Sequence, residues 1–298
     1  MMRDVLVLGS GRVCRPGVRY LLEQAGLTVT LASDDVESAE AILGGHNDGE
    51  VMSLDVRDEA ALVTAVSRHR VVVSLLPWVL HPLAARACIA GKRHLVTTSY
   101  VTPDLKAFDG PARERGLLFL NECGLDPGID HMSAMDVVDR YHDQGGSILS
   151  FTSYCGGLPA PECRDNPFGY KFSWSPRGVL LASQSEARFL QDGREHHMPA
   201  GTVFASPGME EMPDLGTLEV YPNRDSVAYR DIYRIEEART LIRGTYRYPG
   251  WCGLLDGLNR HGLLDATPRP EWQDLSWSEA LDRLLGGPWQ QALEAVPG

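Results

Sequence analysis

Val5-Leu6-Val7-Leu8-Gly9-Ser10-Gly11-Arg12-Val13-Cys14 is the stretch that decides the fold. Four apolar residues in a row read as a parallel strand buried on both faces, and the glycines that end it read as a tight turn. An amphipathic stretch over 18–24 follows, with Gly26 as its expected C-cap. Strand, glycine turn and helix open a βαβ unit. The full phosphate-binding pattern is GxGxxG, and Cys14 stands where the third glycine would be. A residue that small still lets helix and strand pack closely. Gly9 and Gly11 allow the backbone to approach a pyrophosphate, which the free N–H groups at the helix start stabilise.

Outward from this turn, apolar runs at 27–32, 51–54, 71–76, 95–98 and 117–121 read as further strands. Helical spacing fills 58–69 and 82–90, with Asp58 in the early turn of the first of these. Six strands alternating with helices imply an α/β fold with a doubly wound parallel sheet, a Rossmann-type dinucleotide-binding domain. The domain is expected over 1–130, followed by an α+β substrate domain over 131–298. A length of 298 residues, 43% hydrophobic and 23% charged, suits two soluble domains.

A formal charge of −12 argues against a nucleic-acid partner, since phosphate contacts need clustered Lys and Arg. It leaves room for an anionic small molecule, which one local Arg can hold. Six cysteines without CxxC spacing suggest reduced thiols and a cytoplasmic protein. The first residues lack the basic region and cleavage site of a signal peptide, and no apolar run reaches bilayer length, so no membrane partner is expected. No metal is expected either: the close pair His196-His197 is adjacent, which points the two rings apart.

The end of the second strand bears on the cofactor. Ala32-Ser33-Asp34-Asp35 puts carboxylates roughly 20 residues past the glycines, where an acid accepts hydrogen bonds from the ribose hydroxyls of NAD. A 2′-phosphate would meet repulsion there, with no Lys or Arg nearby in sequence, so NAD is expected over NADP. The alternative is that Asp34 and Asp35 cap the next helix.

Past the sheet the sequence grows more particular. Asn121-Glu122-Cys123-Gly124-Leu125-Asp126-Pro127-Gly128-Ile129-Asp130-His131 follows the last strand. Ser153-Tyr154-Cys155-Gly156-Gly157-Leu158-Pro159-Ala160-Pro161-Glu162, Asn166-Pro167-Phe168-Gly169-Tyr170-Lys171-Phe172-Ser173-Trp174-Ser175, Tyr221-Pro222-Asn223-Arg224-Asp225-Ser226 and Leu241-Ile242-Arg243-Gly244-Thr245 come downstream. Together these blocks resemble the saccharopine dehydrogenases of the L-glutamate-forming type, over residues 5–248.

The resemblance implies a reversible oxidation in lysine metabolism. Saccharopine, NAD(P)+ and water give L-glutamate, 2-aminoadipate 6-semialdehyde and NAD(P)H, through an imine that water hydrolyses. A general base takes a proton from the amine and later from the attacking water. In the family, NADP-using fungal members carry Arg where this chain has Asp34, and the NAD-using animal form carries Asp. Trp78-Val79-Leu80-His81-Pro82 and Ser175-Pro176 also look more like the animal form, which supports the expectation of NAD.

By the same resemblance, Arg224 is a carboxylate clamp, for which guanidinium offers bidentate geometry. Ser99, Asp126, Gly244, Thr245 and Tyr246 complete the implied substrate set. The implied cofactor set is Gly9, Ser10, Gly11, Arg12, Val13, Asp34, Asp55, Thr98, Ser99, Leu125, Asp126, Pro127 and Trp174. Ser99 and Tyr100 fall just past one strand and Asp126 past the next, at the carboxyl edge where open α/β sheets bind ligands. The base is left among Asp126, Cys155 and Tyr100, with His131 and Lys171 as further candidates. Cys155 ends an expected strand over 148–155, where a buried small hydrophobe is the ordinary reading.

Family members run beyond this length, and their C-terminal segment is expected to add strands to the substrate sheet. Here 277–285 and 288–295 read as amphipathic helices. An open sheet edge would favour a homo-oligomer or a partner chain supplying that segment. Two other readings stand: a non-catalytic NAD-binding or interaction protein derived from this family, and a carboxynorspermidine-type dehydrogenase.

Overall fold

Period-two alternation in the first strand explains why its apolar run is unbroken. In the computed structural model, which describes residues 3–24 and 26–290, Val5 and Val7 face one hydrophobic cluster and Leu6 and Leu8 face another. The strand is β1 (Arg3–Leu8), and it leads through the glycine turn into α1 (Cys14–Leu22). There follow β2 (Val29–Ser33), α2 (Val36–Leu43), β3 (Gly49–Ser53), α3 (Glu59–Ser67), β4 (His69–Ser74), α4 (His81–Gly91) and β5 (His94–Thr97). Two short helices, α5 (Pro103–Lys106) and α6 (Asp109–Glu114), precede β6 (Phe119–Leu120). The six strands pair in the order β3-β2-β1-β4-β5-β6, all parallel. Val5, Val7, Leu31, Val18 and Ala39 share one cluster, while Leu6, Leu8, Leu62, Val66, Ala84 and Cys88 share the other. Both faces of the sheet are therefore covered, the doubly wound arrangement expected of the α/β fold.

Several boundaries differ from the sequence reading. Gly26 does not cap α1: the helix begins at Cys14, ends at Leu22 and closes on Glu23, and the left-handed Gly26 serves the turn into β2. Asp58 is the N-cap of α3, accepting from the Ala61 N–H at 3.0 Å.

Contacts divide the chain into one unit of Met1–Ser133 with Ser173–Ser175 and another of Ala134–Phe172 with Pro176–Gly298. The helix α7 (Ile129–Asp143) runs through the first junction, followed by β7 (Ser150–Cys155), α8 (Pro176–Leu181), β8 (Ala187–Gln191), β9 (Arg194–Met198), β10 (Gly208–Met212) and β11 (Gly216–Pro222). Then come β12 (Arg224–Asp225), α9 (Tyr229–Ile232), β13 (Thr240–Arg247), α10 (Trp251–Arg260) and α11 (Trp277–Leu285). Strand β13 organises a seven-stranded mixed sheet, pairing antiparallel with β11 and β8 and parallel with β7. Its odd residues meet helices: Leu241 packs with Val138 of α7, and beyond it Tyr221, Trp251 and Leu255 form a second cluster. The helix expected at 277–285 is α11, whereas most of 288–295 lies outside the described residues. Among the described residues, no helix is long and apolar enough to cross a membrane, and no group of three or more His, Cys, Asp or Glu could hold a metal ion.

Candidate active site

The glycine turn is built for close backbone approach. Gly9 has φ of +98°, and a Cβ there would sit 3.3 Å from the Leu75 carbonyl at the end of β4. A Cβ on Gly11 would meet nothing within 4 Å, so the turn is open to a ligand. No side chain caps the start of α1, which leaves its first amides available for phosphate oxygens. Cys14 is fully buried among Val5, Val7 and Val18, and burial pushes its thiol up to about 11. It fills the close helix–strand contact inertly. These residues fit a dinucleotide pyrophosphate.

Ser10 ties the turn to the end of β2, its hydroxyl 2.8 Å from that of Ser33 and donating to the Asp35 carbonyl at 3.3 Å. Asp35 caps α2, accepting from the Ser38 N–H at 3.0 Å and hydroxyl at 2.6 Å. Asp34 is exposed beside it. Asp55, just past β3, accepts from the Arg57 N–H at 2.9 Å and shapes its own loop. Gly9, Ser10, Gly11, Arg12, Val13, Asp34, Asp55, Thr98, Ser99, Leu125, Asp126 and Pro127 thus all follow the carboxyl ends of strands in the parallel sheet. Trp174 is exposed and groups with the same unit.

Two side-chain pairs stand out past β5 and β6. The Tyr100 hydroxyl donates to Asp126 Oδ1 at 2.5 Å, a short, charge-assisted bond to a carboxylate. Ser99 lies 2.8 Å from Nε2 of His81, whose Nδ1 is 2.9 Å from the Ser74 hydroxyl. His81 is completely buried, and burial lowers its pKa to about 4. A neutral imidazole donates from one nitrogen and accepts at the other, so the chain Ser74–His81–Ser99 sets where the Ser99 hydroxyl proton points. Sequence reading assigned His81 no role.

His131 lies near the start of α7, 3.3 Å from Glu122 and 3.7 Å from Asp130, and Lys171 pairs with Asp165 at 2.9 Å. Both act as partners of local carboxylates.

In the second unit the register gathers the remaining candidates. Gly244 stands opposite Tyr154 on one side and Pro222 on the other, and Thr245 opposite Cys155 and Tyr221. A Cβ on Gly244 would lie 2.7 Å from the Tyr221 carbonyl and 2.8 Å from the Tyr154 ring, so only glycine fits. The Tyr246 ring meets that of Tyr154 edge-on, with centroids 5.3 Å apart. Its hydroxyl donates to Glu210 at 2.5 Å, and burial together with that carboxylate raises its pKa, so Tyr246 stays protonated. Glu210 escaped the sequence reading because its strand shows no apolar alternation. Arg224 is exposed and has φ of +55°, a backbone state that non-glycine residues rarely hold outside special sites. The adjoining Asn223 N–H donates to the Arg243 carbonyl at 2.8 Å, which ties the start of β12 to β13.

Comparison with known proteins fixes the lineage. Residues 5–120 match the family model of the saccharopine dehydrogenase NADP binding domain, and 124–295 match that of the saccharopine dehydrogenase C-terminal domain. The chain belongs to the saccharopine dehydrogenase family. It is 44% identical over 290 residues to a bovine protein named alpha-aminoadipic semialdehyde synthase, mitochondrial, covering 95% of this chain and 31% of that protein. It is 41% identical over 284 residues to the saccharopine dehydrogenase [NADP(+), L-glutamate-forming] of Pyricularia oryzae, covering 95% of this chain and 63% of that one. The solved apo structure of the L-glutamate-forming saccharopine dehydrogenase from Saccharomyces cerevisiae superposes with a TM-score of 0.83 at 37% identity, over 99% of this chain and 68% of that one. The chain therefore spans between about a third and two thirds of these curated relatives.

The expectation of NAD is overturned. The matched dinucleotide domain is described as NADP-binding, and the fungal relatives are named as NADP(+) enzymes. The electrostatic argument failed on two counts. Asp35 is spent on capping α2, which leaves one exposed carboxylate whose repulsion water screens. Arg12, far from Asp34 in sequence, is exposed on the turn that Ser10 binds to the end of β2.

Proposed function

We propose that this member of the saccharopine dehydrogenase family catalyses the NADP-dependent, L-glutamate-forming oxidation of saccharopine. The observation that carries the reading is the Tyr100–Asp126 hydrogen bond at the same carboxyl edge of the sheet as the open glycine turn, together with relatives named for this reaction.

Gly9, Gly11 and the uncapped start of α1 bind the dinucleotide phosphates. NADP+, when bound, supplies the hydride acceptor. Arg224 clamps a substrate carboxylate through its planar fork. The Tyr100 hydroxyl orients Asp126, which accepts the proton of the secondary amine as hydride leaves the neighbouring carbon. After that proton is passed to solvent, Asp126 accepts one from the water that attacks the imine. Asp126 returns that proton to the nitrogen, which then takes the carbinolamine hydroxyl proton as the carbon–nitrogen bond breaks, giving glutamate and the semialdehyde. Ser99, oriented by His81, donates to or accepts from the substrate at the same edge.

The test is direct. Purified protein mixed with saccharopine and NADP+ yields reduced nicotinamide at a rate that depends on both. A protein that binds NADP+ and never reduces it, at any saccharopine concentration, refutes the proposal.

A further inference from the structure

The two faces of β13 are treated differently. On the odd-numbered face Leu241 packs with Val138, and the Arg243 guanidinium lies 4.3 Å from the Tyr229 ring. On the even-numbered face Ile242, Gly244 and Tyr246 join none of the apolar clusters. Residues directly opposite one another in neighbouring strands share a face. Tyr154 stands opposite Gly244 and so lies on the even face. Val220 stands opposite Tyr246 and Gly208 opposite Val220, which puts Glu210, two residues past Gly208, on that face as well.

Three side chains meet there. The Tyr154 ring lies against Gly244, where a Cβ would come within 2.8 Å of it. It meets the Tyr246 ring at 76°, with centroids 5.3 Å apart. Rings so close to perpendicular form a corner, and ring faces carry the negative side of the π quadrupole. The Tyr246 hydroxyl fixes Glu210 by donating to Oε2 at 2.5 Å. Burial and the Glu210 charge both raise the pKa of Tyr154 and of Tyr246, so the two hydroxyls stay neutral.

The cluster thus carries one negative charge, on a half-buried carboxylate. Among the described residues Glu210 forms no ion pair. A carboxylate offers about four lone-pair positions, and the Tyr246 hydroxyl takes one. A single carboxylate and two neutral hydroxyls are too few ligands for a divalent cation, which needs six or more oxygens. They suit a primary ammonium, a compact charge with three donors that aromatic rings also attract.

We infer that Glu210, Tyr154 and Tyr246 form the subsite for the primary ammonium of the substrate. Glu210 selects an amino acid over its deaminated counterpart. The inference rests on the reaction proposed above, whose substrate carries one primary ammonium besides the secondary amine that is oxidised.

Titration calorimetry on the full chain compares saccharopine with an analogue in which hydrogen replaces the primary amine. NADPH fills the dinucleotide site and, having no hydride to accept, prevents turnover. The wild type binds saccharopine about tenfold more tightly than the analogue, the order of one charge-assisted contact. Glu210→Gln keeps an acceptor for the Tyr246 hydroxyl and so keeps its Tm, but binds the two ligands within roughly twofold of each other. Tyr154→Leu reduces the wild-type preference several-fold. Wild-type binding that ignores the amine overturns the inference, as does failure of saccharopine to bind. A Glu210→Gln variant that retains the tenfold preference overturns it too. Reduction of NADP+ separates this from the reaction itself. Amine-dependent binding without reduction refutes the reaction alone, whereas reduction at equal kcat/KM from both ligands refutes the subsite alone.

Discussion

Tyr100 and Asp126 lie 26 residues apart in sequence and meet at 2.5 Å because β5 and β6 are neighbours in one parallel sheet. Tyr100→Phe removes the donor while keeping the ring, so kcat is expected to fall roughly 10²-fold with little change in Tm; steady-state assays with circular dichroism melts check both. Asp126→Asn, which also removes the proton acceptor, should cost more. His81 carries a pH signature. Its folded pKa, about 4, lies below the ordinary 6.5, so between those values the unfolded chain binds a proton that the folded chain does not. Stability is therefore full above pH 6.5 and declines as pH falls toward 4, by at most about 3 kcal/mol. Urea titrations across this range should show the slope in the native protein and a flatter one in His81→Gln. Tyr100 and Asp126 were legible because each follows an apolar run that reads as a strand. The Ser74–His81–Ser99 chain was not, because its partners are set by pairing of β4 with β5, and register between parallel strands leaves no mark in either strand alone.

The junction of β2 with α2 shows how one element can mislead about a ligand. Two adjacent carboxylates look alike in sequence, yet Asp35 belongs to the helix and Asp34 to the sheet edge. Their substitutions should separate accordingly. Asp34→Asn relieves repulsion of the 2′-phosphate and should lower KM for NADP+ several-fold without moving Tm. Asp35→Ala removes a cap and should lower Tm by a few degrees with KM nearly unchanged. Kinetics and melting of the two variants side by side distinguish the roles. The start of α1 shows a related difficulty. Amphipathic spacing is visible only from Val18, because Pro16 interrupts it, but proline is tolerated in a first helical turn whose N–H groups have no intrahelical partner.

At the scale of the molecule, the first unit was readable and the second much less so. The inner strands β1 and β2 of the parallel sheet are largely buried on both faces, so their apolar runs stand out. In the second unit, β9 reads Arg-Glu-His-His-Met and is mostly exposed, and β10 carries two glutamates. Such strands are held by pairing with neighbours and offer no apolar alternation to read. The two units have separate cores, which predicts where NADP+ acts. Amide hydrogen exchange with and without NADP+ should show protection concentrated over residues 9–14 and the start of α2. Equal protection throughout β7–β13 would mean that the dinucleotide is held elsewhere.

The distribution of thiols has a practical corollary. Cys14, Cys88 and Cys252 are buried, while Cys123 in the first unit and Cys163 in the second are exposed. With the half-buried Cys155 changed to serine, maleimide dyes would attach to one native position on each unit. Energy transfer between donor and acceptor fluorophores would then serve as a molecular ruler, reporting in solution how the separation of the two units responds to saccharopine and NADP+.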